Sequence, residues 1–394
     1  MSTTAGGGTR TVADGVIAAC VGLVVLAFVE AATRLTPTVM NNYTLLADAW
    51  LHGRSWINFP GPWIDAVPYH GRAYIVEAPL PAVLMLPVVA LYGTHANQSI
   101  LAAALAAVSA VAVYYFARDS GNGRIDALIV CVFALFGTGV MYGALSSDVW
   151  NVAHLSAVTF TLLAFLELVG KQRLWLVTLC GLAAALSRYP MVLALPVYWW
   201  LLREQITRAR SLAATVAVAV PIVALWSAYN WSRWATLYDP GYTIWYRTMD
   251  PRSKSNAALL SVTHLNHQLR LFFVERPRLM QGFPWIAPGK FGTALTYVST
   301  GLVVAFGAPW RDRLTLPLAL LTVLLAIPSL LYYDGGGVQF GVRHALDFEP
   351  FLLCLIALSL RQPPRLWKRV LLVASAAFAA YLLYVWRAFP FLIV

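Results

Sequence analysis

The chain has 394 residues, of which 60% are hydrophobic and only 11% are charged. Soluble domains typically carry about 25% charged residues, so this composition excludes an ordinary soluble domain and indicates that lipid surrounds most of the chain. The formal net charge is +11. The basic residues lie largely in short loops beside apolar segments, and no RNA- or DNA-binding motif is present, so we predict no nucleic-acid partner.

Apolar segments suited to crossing a bilayer recur along the whole sequence. A spanning helix needs roughly 20 apolar residues, or about 17 at minimum. We predict an all-α, polytopic membrane protein with about ten or eleven transmembrane helices, in which residues 1–394 form a single transmembrane domain. The first helix lacks a convincing cleavage site and is expected to be retained. The candidate spans are residues 15–32, 99–117, 127–145, 152–170, 174–186, 191–202, 213–229, 293–308, 314–331, 351–360 and 370–386.

The short loops rich in lysine and arginine predict the orientation of these helices, because such loops tend to stay in the cytoplasm. All of them fall on one side only if the short, proline-rich segment 80–92 does not cross the membrane. We therefore expect this segment to lie at the outer surface. Residues 34–98 then form a large first outer loop with surface-lying helices, and residues 230–290 form another long outer loop. The basic loops are residues 118–124, 171–173, 203–210, 311–313 and 361–369.

The first outer loop begins with a predicted amphipathic helix. Its apolar residues fall at positions 43, 46, 47, 50 and 51, which share one helical face, and Gly53 suits its C-terminal end. Such a helix is expected to lie flat on the outer leaflet. It serves either as a lid that packs on the bundle or as the roof of a site for a lipid substrate. Asp48 lies within it and is a candidate catalytic carboxylate.

The second half of this loop concentrates ionisable residues beside apolar sequence, where an isolated charge would be costly. Asp65 and Glu77 are candidate catalytic carboxylates, because carboxylates serve as general bases. The alternative interpretation is an ion pair between Asp65 and Arg72 that only shapes the loop. The candidate substrate-binding residues of this segment are Tyr69, His70, Arg72 and Tyr74.

Three further candidates follow near the predicted outer ends of later spans. Asp148 is a candidate catalytic carboxylate, although it is also suited to cap the helix that starts after it. His154 follows at the mouth of the same helix. Arg188 stands between two short apolar segments, where an arginine is usually paired or functional. We assign His154 and Arg188 to substrate binding.

The last outer loop, residues 332–350, combines glycines with ionisable residues. Its glycines allow the backbone to approach a ligand closely, but their spacing matches neither a P-loop nor a dinucleotide fingerprint. Arg343 and His344 are candidate substrate-binding residues, although Arg343 and Asp347 would pair with each other if the segment were helical. The sequence has no zinc motif, and a divalent metal ion is left open as a cofactor.

Several of these segments, taken in order, resemble the GT-C superfamily of multi-pass membrane glycosyltransferases, which includes the protein O-mannosyltransferases and the aminoarabinose transferases. The chain departs from the superfamily at Asn41 and Asn42, where members usually carry an acid just before the surface helix. The resemblance is carried by the surface helix ending LADAWLHGR, by GRAYIVEAPLPAVLMLP, by SSDVWNVAH in the second outer loop, and by YNWSRWATLYDPGY and QFGVRHALDFEPFL.

The resemblance implies a polyprenyl-phosphate-linked sugar donor and a glycan, lipid or protein acceptor, with transfer on the non-cytoplasmic face of a bacterial plasma membrane. Arg72, Arg188 and Arg343 would then bind the donor phosphate, since the planar guanidinium group matches phosphate oxygens. Because an amide cannot act as a general base, the base must be another carboxylate. Asp65 is the first choice and Asp148 the second, with Glu77 and Asp48 as the remaining candidates.

Two other functions stay open on the sequence alone. One is a non-enzymatic flippase or transporter for lipid-linked sugars, although transporters tend to place ionisable residues in the middle of the membrane and to show internal repeats. The other is a catalytically inactive subunit of a cell-envelope complex, which the asparagines at positions 41 and 42 would suit.

Overall fold

The computed structural model describes residues 10–249 and 258–393. Most of these residues are helical, which confirms the predicted helical class. Part of the predicted outer loop 230–290 lies outside the described residues, and with it Asp250, one of the acids expected on the outer side.

Most of the helices are joined by short connections, but the long segments 52–79 and 274–294 also separate helices. The helices are α1 (Val12–Thr33), α2 (Asn42–Leu51), α3 (Leu80–Tyr92), α4 (Gln98–Asp119), α5 (Arg124–Phe136), α6 (Val140–Ser146), α7 (Val149–Val169), α8 (Leu174–Ala185), α9 (Leu195–Leu201), α10 (Arg203–Ile206), α11 (Ala209–Trp234), α12 (Tyr242–Met249), α13 (Leu265–Phe273), α14 (Leu295–Val298), α15 (Thr315–Leu331), α16 (Glu349–Leu360) and α17 (Leu366–Ala388). Short 3-10 turns extend several of them, notably Tyr189–Ala194 before α9, Thr300–Gly307 after α14 and Arg343–Asp347 before α16.

Small strand pairs accompany these helices in the described residues, so the chain is not purely helical. The antiparallel pairs are β1 (Val67–Tyr69) with β2 (Arg72–Tyr74) and β3 (Arg278–Leu279) with β4 (Ile286–Ala287). The parallel pair is β5 (Phe291–Thr293) with β6 (Gln339–Gly341), and it fastens the end of the second long loop to the last outer loop.

Five helices of the described chain are long and apolar enough to cross a membrane, and there are six spans if α5 and α6, which meet at 49°, are counted as one broken span. The others among the apolar helices are shorter, at 10–17 residues. The chain is therefore a multi-pass membrane protein. The finer count of about ten or eleven crossings stays a prediction, because it requires several of these shorter helices to cross as well.

The short basic loops gather at one end of the bundle. Asp14 in the first turn of α1 is buried. Its Oδ1 atom lies 3.0 Å from Nε of Arg118 and 3.1 Å from Nε of Arg124, and these ion pairs join the start of α1 to the connection between α4 and α5. Arg361 at the end of α16 pairs with Asp312 in the loop before α15. Their common location agrees with the predicted orientation, which requires these loops to share one side.

The predicted amphipathic helix is present as α2. It buries Tyr43, Leu46 and Ala47, and the chain leaves it through Gly53 with a φ of 69°, a conformation that glycine adopts without strain. The helix packs against α3, which has 13 residues and contains Pro87. That α3 lies at the outer surface without crossing stays a prediction.

The two long loops pack together at the end of the bundle opposite the basic loops. At the end of α11, the guanidinium group of Arg233 donates a 2.7 Å hydrogen bond to the carbonyl oxygen of Ile75. The Trp234 ring lies 5.4 Å from the ring of Tyr69 and 5.0 Å from that of Tyr74. The β1–β2 hairpin is thereby held against α11.

Candidate active site

Two cavities of about 420 and 240 Å³ adjoin each other at the end of the bundle where the long loops pack together. Trp150 at the start of α7 lines both of them, so the candidate site lies at the opposite end of α7 from the basic loops. Both cavities are polar on some sides and aromatic on others, as expected for a site that binds an amphiphilic ligand. The residues common to their walls are Glu77, Trp150, Arg188, Tyr242, Tyr332 and His344.

Arg188 and Asp347 form a two-pronged ion pair in the wall of the larger cavity. The Nε atom of Arg188 lies 3.1 Å from Oδ1 of Asp347, and its Nη2 atom lies 2.9 Å from Oδ2. Burial by itself would raise the pKa of the Asp347 carboxyl, but Arg188 and His154 outweigh it and hold that pKa well below its usual range. Asp347 is therefore a fixed anion that already neutralises Arg188.

His344 borders both cavities, and the same arginine fixes its tautomer. The Nη2 atom of Arg188 lies 3.3 Å from Nδ1 of His344. An arginine only donates hydrogen bonds, so Nδ1 must accept and Nε2 must carry the proton of the neutral ring. Burial and the neighbouring arginines lower the pKa of His344 well below its ordinary value, which keeps the ring neutral. Its buried Nε2 has no hydrogen-bond partner among the described residues.

His154 stands behind these groups rather than on the cavity surface. It is completely buried in α7, and its Nδ1 atom lies 3.1 Å from Oδ1 of Asp347. Its ring centroid lies 5.6 Å from that of His344. His154 and Arg188 therefore both contact Oδ1 of Asp347, and the contacts of His154 are those of a positioning residue.

Arg343 supplies the positive charge of the smaller cavity. Its side chain makes no ion pair or hydrogen bond with any described residue, and its guanidinium carbon lies 4.9 Å from the ring centroid of Trp150. The predicted alternative, a pair between Arg343 and Asp347, is not formed, because residues 343–347 adopt a 3-10 turn and Asp347 pairs with Arg188. Arg343 therefore keeps its donors available for an anionic ligand.

Asp65 and Glu77 bring two carboxyl groups to the smaller cavity. The Oδ2 atom of Asp65 accepts a 3.1 Å hydrogen bond from the indole of Trp150. Burial raises the pKa of Asp65, while Trp150 and Arg343 oppose that rise. Burial and then the charge of Asp65 raise the pKa of Glu77 further, well above its ordinary value. Asp65 therefore loses its proton first, and Glu77 stays protonated beside it.

The departure from the superfamily at Asn41 and Asn42 lies next to this carboxyl pair. Asn42 is completely buried, and its side-chain amide donates a 2.9 Å hydrogen bond to the carbonyl oxygen of Asp65. Its side chain also acts on the pKa of Glu77, which places Glu77 beside it. The start of α2 thus lacks an acid of its own, but the fold brings Asp65 and Glu77 to the same place.

The other predicted site residues of the first loop lie away from both cavities. Tyr69 and Tyr74 pack against Trp234, and His70 is exposed in the hairpin turn between β1 and β2. Arg72 is exposed, and its guanidinium carbon lies 5.1 Å from the ring centroid of Trp56. The predicted alternative of an Asp65–Arg72 ion pair is not formed.

The two remaining candidate carboxylates also lie outside the cavity walls. Asp148 caps α7, because its Oδ1 atom accepts a 2.9 Å hydrogen bond from the backbone amide of Asn151, and its Oδ2 atom accepts one of 2.7 Å from Ser146. Asp48 on α2 contacts two residues that follow the helix: its Oδ1 atom lies 3.6 Å from Nδ1 of His52, and its Oδ2 atom lies 3.6 Å from Nη2 of Arg54. Their contacts are those of structural residues, and their catalytic roles stay untested predictions.

Sequence reasoning missed Trp150, Tyr242, Tyr332 and Asp347 as parts of the site. The signal that points to them is the density of aromatic residues beside acids in the predicted outer loops, where an aromatic side chain has no need to face lipid. Trp150 in particular lies two residues after Asp148 and contacts both Asp65 and Arg343.

The described side chains of the candidate site do not form a metal site. Within residues 10–249 and 258–393, no group of three or more His, Cys, Asp and Glu side chains could hold a metal ion. His154, His344 and Asp347 lie together, but Arg188 occupies both oxygens of Asp347.

Comparison with known proteins gives one informative result. No protein-family model and no curated protein matches the chain. The crystal structure of ArnT from Cupriavidus metallidurans bound to undecaprenyl phosphate matches 93% of it with a TM-score of 0.56. The chain has an ArnT-like fold. This confirms the predicted resemblance to the GT-C superfamily at the level of the fold, because ArnT has the GT-C fold.

The likeness to ArnT concerns the fold, since the two chains share 14% sequence identity. The chain spans 64% of the length of the ArnT chain. Function in a shared fold resides in the particular side chains of the site, so the activity has to be argued from the cavities described above.

Proposed function

We propose that the protein transfers a sugar from a polyprenyl-phosphate-linked donor to an acceptor hydroxyl. The observation that carries the proposal is the guanidinium group of Arg343, which forms no ion pair with a described residue and lies in one small cavity with the Asp65–Glu77 carboxyl pair. A cation for a phosphate and a carboxylate for a hydroxyl proton are the two groups that such a transfer needs. The ArnT-like fold supports the same reaction class.

In this mechanism Arg343 binds the phosphate that leaves with the polyprenyl chain. The phosphate gains negative charge as its bond to the sugar breaks, so a fixed cation stabilises the transition state more than the bound donor. The Nε2–H group of His344 donates to a second oxygen of the phosphate or of the sugar. Arg188 and Asp347 hold that imidazole in place.

Asp65 is the general base. It accepts the proton of the acceptor hydroxyl as the hydroxyl oxygen bonds to the anomeric carbon, and the polyprenyl phosphate departs with the electrons of the broken carbon–oxygen bond. Glu77 stays protonated and supports Asp65. The asparagines at positions 41 and 42 are compatible with this activity, because the base comes from the loop rather than from the start of α2. The acceptor is a glycan, lipid or protein hydroxyl.

The experiment for this proposal uses purified protein, radiolabelled polyprenyl-phosphate sugars and a cell-envelope extract that supplies glycan, lipid and protein acceptors. Release of free polyprenyl phosphate together with a labelled product is expected from the wild-type protein and not from Asp65→Asn. A flippase would move the labelled donor across a vesicle membrane and leave it chemically intact. An inactive subunit would neither cleave nor move it, and either result would contradict the proposed transfer.

We place this site on the non-cytoplasmic face of a bacterial plasma membrane, since the basic loops gather at the other end of the bundle. The exposed residues Asn58 and Thr207 provide a test in a Cys20→Ser background, because the other three cysteines are buried. A membrane-impermeant maleimide should label Asn58→Cys in intact cells and label Thr207→Cys only after lysis. The reverse pattern would place the site in the cytoplasm.

A further inference from the structure

A third and larger cavity, of about 1040 Å³, lies at the basic end of the bundle. The loops after α4, α7 and α16 and the loop before α15 line it. It is separate from the candidate active site, because the two are at opposite ends of α7. This helix has 21 residues and so measures about 30 Å, the thickness of the hydrocarbon core of a bilayer.

The charges around this cavity do not balance. It is lined by three acids, and each is already paired with an arginine: Asp119 with Arg10, Glu167 with Arg173, and Asp312 with Arg361. Three more basic residues line it, and within the described chain they make no ion pair. They are Lys171, Arg311 and Arg313.

The inner wall of the cavity is apolar. Leu163, Leu166 and Val169 on α7 and Leu176 on α8 contribute to it, and each is only partly buried. An inorganic anion has no apolar surface that could pack against this wall. The combination of an apolar wall with a rim of unpaired cations complements an amphiphile that carries a negative headgroup.

We propose that this cavity binds an anionic phospholipid of the inner leaflet, whose phosphate headgroup meets Lys171, Arg311 and Arg313. Basic pockets between transmembrane helices on the cytoplasmic side bind lipid headgroups in this way. The acyl chains lie along the partly buried apolar side chains of α7 and α8 that form this wall. The site is independent of sugar transfer, so the proposal does not rest on the proposed activity.

The test is native mass spectrometry of the full-length protein in detergent, titrated with phosphatidylglycerol or phosphatidylcholine. The cavity variant replaces Lys171, Arg311 and Arg313 with glutamine. The matched control replaces Arg203, Arg208 and Arg210 with glutamine, which removes the same charge from another basic loop that does not line the cavity. Melting temperatures in detergent alone verify that both variants are folded.

Wild type and control should bind phosphatidylglycerol equally well. The cavity variant should bind it roughly a hundredfold more weakly, since each basic group near a membrane surface contributes about fivefold. Phosphatidylcholine should not distinguish the three proteins. Equal loss in the control, or no loss in the cavity variant, would overturn the proposal. So would tight binding of glycerol phosphate, which has no acyl chains and would indicate a site for small anions.

Discussion

Arg188 and Asp347 are 159 residues apart in the sequence and meet through two parallel hydrogen bonds of 3.1 and 2.9 Å. This pair decides the electrostatics of the candidate site. It keeps Asp347 from pairing with the nearby Arg343, and it fixes the tautomer of His344. Arg188 is therefore a structural cation, and Arg343 is the cation left for a ligand.

We expect Arg188→Met alone to destabilise the protein by about 3–5 kcal/mol, because it leaves the buried charge of Asp347 unpaired. The double variant Arg188→Met with Asp347→Leu should recover most of the lost melting temperature, since it removes both charges from the interior. Thermal unfolding in one detergent compares the two variants. If the double variant were as unstable as the single one, the loss would come from packing and not from the unpaired charge.

Replacement of Arg343 tests the phosphate site directly. Arg343→Gln should weaken binding of the polyprenyl-phosphate donor by a factor of about ten or more, since a hydrogen bond to a charged group contributes about 1.5–3 kcal/mol. Arg343→Lys should retain only part of the wild-type donor affinity, because an ammonium group lacks the planar pair of donors of a guanidinium group. Arg72→Gln is the matched control, as Arg72 is exposed on Trp56. Equal weakening by Arg72→Gln would mean that the donor reaches the β1–β2 hairpin.

His344 should act as a neutral hydrogen-bond donor. His344→Gln keeps an N–H group near the position of Nε2 and should retain more donor affinity than His344→Leu, which removes it. Donor affinity measured by isothermal titration compares the two. If His344→Gln and His344→Leu bind the donor equally weakly, His344 donates no hydrogen bond to the donor and only packs against Arg188 and Tyr332.

Replacement of Asp65 should affect turnover and donor binding differently. Asp65→Asn should lower turnover by about 10²–10⁴-fold with little change in donor binding, the usual contribution of a general base. Single-turnover rates and donor affinities measure these effects. Near-normal turnover would move the base to another carboxylate, and Asp148→Asn is the comparison variant for that case.

Glu77 gives a pH dependence of stability. Because its pKa is raised in the folded state, the folded protein keeps a proton that the unfolded chain loses above about pH 4.3. The free energy of unfolding therefore falls as pH rises from there through the raised pKa. Glu77→Gln should flatten this decline in the melting temperature. An unchanged slope in the variant would show that Glu77 is ionised in the folded protein.

Asp148 is expected to act through helix capping. Asp148→Ala should lower stability by about 0.5–2 kcal/mol, the usual cost of a lost N-cap, while the proposed turnover per folded molecule stays similar. Melting temperature and turnover per folded molecule provide the two measurements. A large loss of turnover without a loss of stability would favour the catalytic role predicted from the sequence.

Local features of the fold could be predicted because their causes lie in neighbouring residues. The apolar stretches, the amphipathic helix α2 and the basic loops are all patterns over a few turns of chain, and each has a counterpart in the structure. The prediction of purely helical structure missed the short strand pairs, which are 2–3 residues long and depend on contacts between separate loops.

The sequence by itself determined a helical multi-pass membrane protein with most of its ionisable residues in the segments between apolar stretches, because hydrophobicity and charge act residue by residue. Only the tertiary structure decided which of these residues meet. Asp65 accepts a hydrogen bond from Trp150, 85 residues later in the sequence. Asp347 pairs with Arg188 and not with Arg343. Such pairings depend on how distant helices and loops pack, and no local pattern encodes them. Some ionisable residues of the cavities were thus predictable from the sequence, whereas the other residues of their walls and the charge balance were set by the fold.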